Sequence, residues 1–287
     1  MKDVMTRALL FDGAASITVW NITQAAQQGA RLHGMSDDAA EVYGKLLSVT
    51  AYMSAGLKAD TDKLTVIMEG DGKLGRAVAC GAAGAKVRGY VSEPLARLRA
   101  GETQAAMLGS GFISVIKDLG LQQPYRGWGE IVKGDVTGDF AGYFMLSEQT
   151  PTALSLACRF QNGRCTVCGG AAAAPLPGCK EEHLVVLEDI MRNFTDAEAA
   201  LAGAEPRELI EEHFGHFAPA YLPDVYPAYE CTCSRARSAG MIRALGAKEA
   251  RSVLAENGRI EVKCEFCGKK YVFNAQDIDK LFAEENK

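Results

Sequence analysis

A chain of 287 residues with 48% hydrophobic content has enough apolar material for a packed core, which excludes global disorder. Its net charge of −5 gives no general reason to expect nucleic-acid binding. No window approaches the apolar length of a membrane span, and the first residues, "MKDVMTRALLFDGAAS", lack a signal-peptide apolar run, so the expectation is a soluble, cytoplasmic protein. In that reducing setting the nine cysteines read as thiols, metal ligands or redox sensors before structural disulfides.

Residues 4–21 predict two strands around the Asp12-Gly13 turn. Thr23 is placed to cap a helix through "QAAQQGARL", and Ser36 to cap a second with helical spacing at Val42, Leu46, Leu47 and Met53. Strand-like runs follow: "KLTVIMEG", "GRAVACG", "KVRGYVS", "GFISVIKD" and "YRGWGEIV". A helix is expected near "DFAGYFMLSEQ", and a hairpin over "ALSLACRFQNGRCTVCGGAAAA" turns at Asn162-Gly163. Residues 1–178 therefore read as a strand-rich α+β domain.

Residues 179–229 differ in composition. From Glu181 to Glu230 there are twelve Asp/Glu against two Lys/Arg, and four of the nine prolines (Pro206, Pro219, Pro223, Pro227) fall in this window. Thr195 to Glu198 has capping-box spacing, and Pro206 sits where a second helix begins, with Gly215 past its end. "HFAPAYLPDVYPAYE" reads as an extended connector. Like charges and short runs predict a marginally stable helical linker.

Residues 230–287 read as a small module. Short helices over "ARSAGMIRALG" and "KEARSVLAENG" end at Gly246 and Gly258, and "RIEVKCEFCGKKYVF" reads as a hairpin with two cysteines at its turn. Asn274 is placed to cap a last helix. Cys231, Cys233, Cys264 and Cys267 form a C-x-C pair and a C-x-x-C pair that together supply four soft ligands for a tetrahedral Zn²⁺. The alternative is four unconnected thiols, but a module this small commonly depends on a metal or disulfides. Residues i and i+2 stand at most about 7 Å apart between Cα atoms. A disulfide needs roughly 4.4 to 6.8 Å, so Cys231 and Cys233 could bridge with local tightening. Oxidation of both pairs would remove all four ligands. Structural zinc contributes on the order of 10 kcal/mol to small-domain folding, so its loss would unfold the module.

"CTCSRAR" with "CEFCGKKYVFN" resembles the zinc module of the heat shock protein 33 family, redox-regulated bacterial chaperones. "IMEGDG", "VRGYV", "GSGFISVIKD", "YRGWGEI", "YFMLSEQTPTALSL" and "GGAAAAPLPG" extend the resemblance along nearly the whole chain. The resemblance implies an ATP-independent holdase for unfolding clients, not an enzyme. It implies an inactive reduced form holding one Zn²⁺, and activation through Cys231–Cys233 and Cys264–Cys267 disulfides, zinc release, linker unfolding and dimerisation. The sequence departs from the family in five further cysteines, Cys80, Cys158, Cys165, Cys168 and Cys179. Cys165 and Cys168 also form C-x-x-C, but on a regular strand residues three apart point to opposite faces. Ordinary buried thiols are expected there, with a second redox pair as the alternative.

Other signals are weaker. "GDGKLG" (residues 70–75) matches a dinucleotide loop by letter, but a strand rather than a helix is expected next. His213 and His216 read as solvated linker residues rather than ligands. A nucleic-acid-binding zinc module is the competing function, because residues 230–270 carry nine Lys/Arg and five Asp/Glu. A dithiol oxidoreductase using Cys264 and Cys267 would need a thioredoxin-like βαβ setting that the sequence lacks.

Overall fold

The computed structural model describes residues 2–194 and 197–283. The chain divides into two compact units, Met1–Glu230 and Cys231–Lys287. The first unit is built on two sheets. Strands β1 (Val4–Leu10), β2 (Ala15–Asn21), β8 (Ala153–Gln161), β9 (Arg164–Pro175) and the short β10 (Ala220–Tyr221) form one sheet in the order β10-β1-β2-β9-β8. Strands β3 (Lys63–Gly70), β4 (Arg76–Ala82), β5 (Lys86–Val91), β6 (Gly111–Asp118), β7 (Tyr125–Ile131) and the short β11 (Ala228–Tyr229) form the other, ordered β11-β5-β4-β3-β6-β7. Between these strands run helices α1 (Thr23–His33), α2 (Asp37–Ser54), α3 (Ala105–Leu108) and α4 (Val136–Leu146). The fold is α+β, as the strand and helix runs predict.

Helix α2 joins the two sheets. Its buried residues Val42, Tyr43, Leu46, Leu47 and Val49 share one core with Trp20 and Leu156 of the first sheet and with Leu64, Val66 and Ala79 of the second. Ser36 caps it by accepting from the Ala39 N–H. Thr23 does not cap α1: its hydroxyl accepts from Cys168 N–H instead. The cap comes from neighbours, because Asn21 Oδ1 accepts from Thr23 N–H and the Asp3 carboxylate accepts from Gln24 and Ala25 N–H at 2.9 and 2.8 Å.

The five-stranded sheet is buried on both faces. Met5, Trp20, Cys168 and Ala172 face α2, while Ala8, Leu10, Ile17, Val19, Val167 and Ala171 face the other way. That second face is covered by residues 179–229. Helices α5 (Glu181–Asn193), α6 (Ala197–Gly203) and α7 (Pro206–Phe214) lay Leu187, Met191, Leu201, Leu209, Ile210 and Phe214 on it, joined by Phe194. Each such side chain contributes roughly 1.5–3 kcal/mol on burial. Glu181, Glu182, Glu188, Asp189, Glu208, Glu211 and Glu212 remain exposed. These helices are thus held by one apolar face, against a like-charged outer surface.

Residues 179–229 add one helix that the sequence reading lacks. Helix α5 has no strong N-terminal signal in sequence, since Lys180 occupies the cap. The capping-box reading at Thr195 falls on residues outside those described. The connector carries two short extended segments, as read: β10 pairs with β1 and β11 runs parallel to β5. Pro206 opens α7 and Gly215 ends it, as read. "GDGKLG" is the β3–β4 turn and no helix follows it.

The opposite-face argument for Cys165 and Cys168 is overturned. Phe160 pairs with Cys165 while Arg159 pairs with Val167, so the register shifts and Thr166 is left as an extra residue in β9. This β-bulge breaks the alternation. Cys158, Cys165 and Cys168 consequently all belong to the core beneath α2.

Candidate metal centre

The second unit contains α8 (Arg235–Leu245), α9 (Ala247–Asn257), the antiparallel pair β12 (Ile260–Lys263) and β13 (Lys270–Phe273), and α10 (Ala275–Ala283). Its core is small: Ile242, Ala250, Ile260, Tyr271, Phe273, Ile278, Leu281 and Phe282. Gly246 and Gly258 end α8 and α9, and Asn274 Oδ1 accepts from Asp277 N–H to cap α10.

Two local structures present the cysteines. Cys231 and Cys233 lie in extended chain just before α8, whose N-cap Ser234 accepts from Arg237 N–H. The Arg237 guanidinium donates to the Thr232 carbonyl and hydroxyl at 3.1 and 2.9 Å, which fixes the residue between the two thiols. Cys264 and Cys267 occupy the β12–β13 turn. Cys264 N–H donates to Lys269 O, and Gly268 N–H donates back to Cys264 O. Gly268 has φ +70, a left-handed conformation that glycine adopts without a Cβ penalty.

All four Sγ atoms lie within 4.8 Å of one another. Cys231 and Cys264 are 3.6 Å apart, and Cys233 and Cys267 are 3.4 Å apart. Zn–S bonds of about 2.3 Å place tetrahedral sulfurs about 3.8 Å apart, so the thiol set matches the size of a Cys₄ zinc site. The Tyr271 hydroxyl is 3.2 Å from Cys233 Sγ. Burial pushes Cys233 up, but hydrogen bonds from Tyr271 and the other three thiols outweigh it and bring the thiol down to about 7. Burial pushes Cys231 up to about 12. Thiols packed this closely favour one thiolate at a time, and a central cation is what allows all four to ionise.

The linker histidines have other roles. His213 packs against Phe194 with ring centroids 4.7 Å apart, and His216 lies against Phe217 at 3.8 Å.

The fold and the thiol set together define a two-unit α+β protein whose smaller unit gathers four cysteines at the spacing of a soft-metal site. A family model described as Hsp33 protein matches residues 3–274. The chain is 31% identical to a 33 kDa chaperonin of Thermoanaerobacter sp. (strain X514) over 98% of each chain. It is 32% identical to a 33 kDa chaperonin of Syntrophotalea carbinolica, covering 99% of this chain and 100% of that one. The crystal structure of the 33 kDa chaperonin (heat shock protein 33 homolog) from Thermotoga maritima superposes with a TM-score of 0.91 at 26% identity, over 100% of this chain and 99% of that one. The chain belongs to the Hsp33 family, and this membership supports a chaperone function.

Proposed function

We propose that the chain is a redox-regulated, ATP-independent holdase that binds unfolding proteins and prevents their aggregation, with no catalytic turnover of its own. The observation that carries this reading is the cover of acidic helices α5–α7 over a second apolar face of the five-stranded sheet. Its removal would uncover Leu10, Ile17 and Val19 together with the apolar sides of the helices themselves. Trp128, Val132, Met145 and Leu146 already offer exposed apolar surface on or beside β7 and α4. Contiguous apolar patches of this kind bind proteins.

In the reduced state Cys231, Cys233, Cys264 and Cys267 would hold one Zn²⁺, which supplies the charge that keeps four thiolates together and staples a small core. A hydroperoxide withdraws two electrons from each pair it oxidises. With Cys231 bonded to Cys233 and Cys264 to Cys267, no thiolate ligand remains and the module loses its staple. Residues 179–229 then act as the metastable segment between 1–178 and 230–287: its helices undock, apolar surface is exposed, clients bind and two oxidised copies associate. Among the described residues no helix is long and apolar enough to cross a membrane, and the proposed site of action is the cytoplasm.

Nucleic-acid binding by the second unit is the weaker reading, because several of its cations are engaged within the module. Arg235 pairs with Asp277 at 2.9 Å and donates to Val272 O, Arg237 holds Thr232, and Lys270 pairs with Glu261 at 2.8 Å.

The test is light scattering of a heat-denatured client. Protein treated with peroxide under mild heat is expected to suppress aggregation, and reduced protein is expected to leave it unchanged. Equal suppression by both forms would refute the switch.

A further inference from the structure

Outside the zinc module, Cys158 on β8 stands directly opposite Cys168 on β9, beneath α2. Cys168 N–H donates to Thr23 Oγ1 at 2.9 Å, and Cys168 O accepts from Ile22 N–H at 2.7 Å. Both backbone groups therefore point away from β8, and the two cysteines form a non-hydrogen-bonded pair. Such pairs hold their Cα atoms about 4.5 Å apart, the closer of the two antiparallel spacings. A disulfide spans roughly 4.4 to 6.8 Å between Cα atoms, so the backbone already has the separation that the bond needs.

The two side chains also converge. Cys158 Sγ approaches Ala40 O at 3.9 Å, and Cys168 Sγ donates to Gly44 O at 3.4 Å. A Cβ on Gly44 would clash with Cys158 Sγ and stand 3.3 Å from Cys168 Sγ, so both sulfurs share the space over one glycine of α2. Cys165 is placed differently: it opposes Phe160, and its Sγ contacts Val167 O of its own strand at 3.5 Å. Among the described residues β8 is the last strand of its sheet. Its opposite face carries the acidic cover, where Ser155 Oγ donates to Phe194 O at 2.8 Å and Arg159 pairs with Glu198 at 3.0 Å. Local opening costs least at the periphery of a fold, and fraying of this edge strand is the route by which a small oxidant reaches the buried pair.

We propose that Cys158 and Cys168 are a second oxidation site of this chain, closing a cross-strand disulfide that staples the edge strand β8 to β9 under hydroperoxide. One of the two sulfurs attacks an oxygen of the hydroperoxide, the O–O bond breaks, and the alcohol or water leaves with the thiol proton, giving a sulfenic acid. The opposed sulfur then attacks it, the S–O bond breaks, the S–S bond forms, and hydroxide departs with the second thiol proton as water. Two electrons pass from the two thiols to the peroxide. The bond lies on the face of the sheet that α5–α7 do not touch. It therefore holds β8 in place when those helices, and their contacts with Ser155 and Arg159, are lost. That role rests on the proposed undocking of α5–α7, whereas the bond rests on neither zinc nor the holdase reading.

The experiment oxidises the reduced full-length chain with hydrogen peroxide under mild heat, alkylates the remaining thiols and maps tryptic peptides without reduction. Cys158 lies in the peptide 134–159 and Cys168 in 165–180, so the proposed bond joins two separate peptides. The expected result is the joined pair, with fragmentation placing the bond on Cys168. The pair is expected to persist in Cys165→Ser and to be lost in Cys168→Ser. Alkylation of both Cys158 and Cys168 after oxidation, or a bond from Cys158 to Cys165 or Cys179, would overturn the proposal. The wild-type map decides the bond whether or not either variant folds. Hydrogen exchange over 153–161 reads the staple: it is expected to be slower in oxidised wild type than in oxidised C168S, and equal exchange would overturn that role. Peptides carrying Cys231, Cys233, Cys264 and Cys267 are read separately, so failure here is distinguishable from failure of the zinc switch.

Discussion

The Tyr271 hydroxyl stands 3.2 Å from Cys233 Sγ, reaching from β13 across to the thiol that precedes α8. It ties the hairpin carrying one cysteine pair to the segment carrying the other. Groups that hydrogen-bond a metal ligand typically alter metal affinity 10–100-fold when removed. Tyr271→Phe keeps the ring in the core and removes only the hydroxyl. Zinc affinity, measured by competition with a chromophoric chelator, is expected to fall by about tenfold or more. Unchanged affinity would show that the hydroxyl does not support the ligand set.

Phe214 is fully buried under α7 against the five-stranded sheet. Phe214→Ala is expected to cost about 3–5 kcal/mol of docking. If docking of α5–α7 restrains chaperone activity, reduced F214A should suppress client aggregation without any oxidant, and its residues 179–229 should be cleaved faster by protease. Faster cleavage with no gain in aggregation suppression would separate the linker from activity.

Much of this arrangement is legible in the sequence. "KLTVIMEG" corresponds residue for residue to β3, Ser36 caps α2, and Gly246 and Gly258 end their helices, because each signal is local. The four-cysteine cluster is equally legible, since two short-spaced pairs need only one hairpin to meet. Helix α5 was hidden because its N-cap is Lys180 and its charges mask an apolar stripe at Leu187 and Met191 that has meaning only against the sheet. The convergence of Cys165 with Cys168 was hidden for a different reason. The bulge is a property of β9 paired with β8, and no glycine or proline at Thr166 announces it.

Asp3 provides a pH-dependent test of the first unit. Burial raises its carboxyl to about 6 from 3.8, against the hydrogen bonds from Gln24 and Ala25 N–H. A folded-state value above the unfolded one means that the folded chain holds the proton more tightly. The corresponding stability is present in full below pH 3.8 and lost as pH rises through about 6. The difference amounts to about 3 kcal/mol. Thermal unfolding of wild type and Asp3→Asn between pH 4 and 7 should therefore show wild type losing stability relative to D3N as pH rises. A gap independent of pH would contradict the assignment.

The partial engagement of the second unit's cations, with Arg235 on Asp277 and Lys270 on Glu261, predicts weak interaction with nucleic acid. Random single-stranded oligonucleotides are expected to show no binding at about 50 mM salt, the low end of the range where phosphate contacts are strongest. Tight binding that weakens steeply with added salt would favour the competing reading.

The central claim is that oxidation removes the metal by consuming its four ligands. The direct measurement is zinc content together with the state of Cys231, Cys233, Cys264 and Cys267, taken before and after peroxide under mild heat. The account predicts release of about one zinc per chain as these four thiols are lost to Cys231–Cys233 and Cys264–Cys267 bonds. Zinc retained while thiols elsewhere disappear, or zinc released with these four thiols still free, would contradict it.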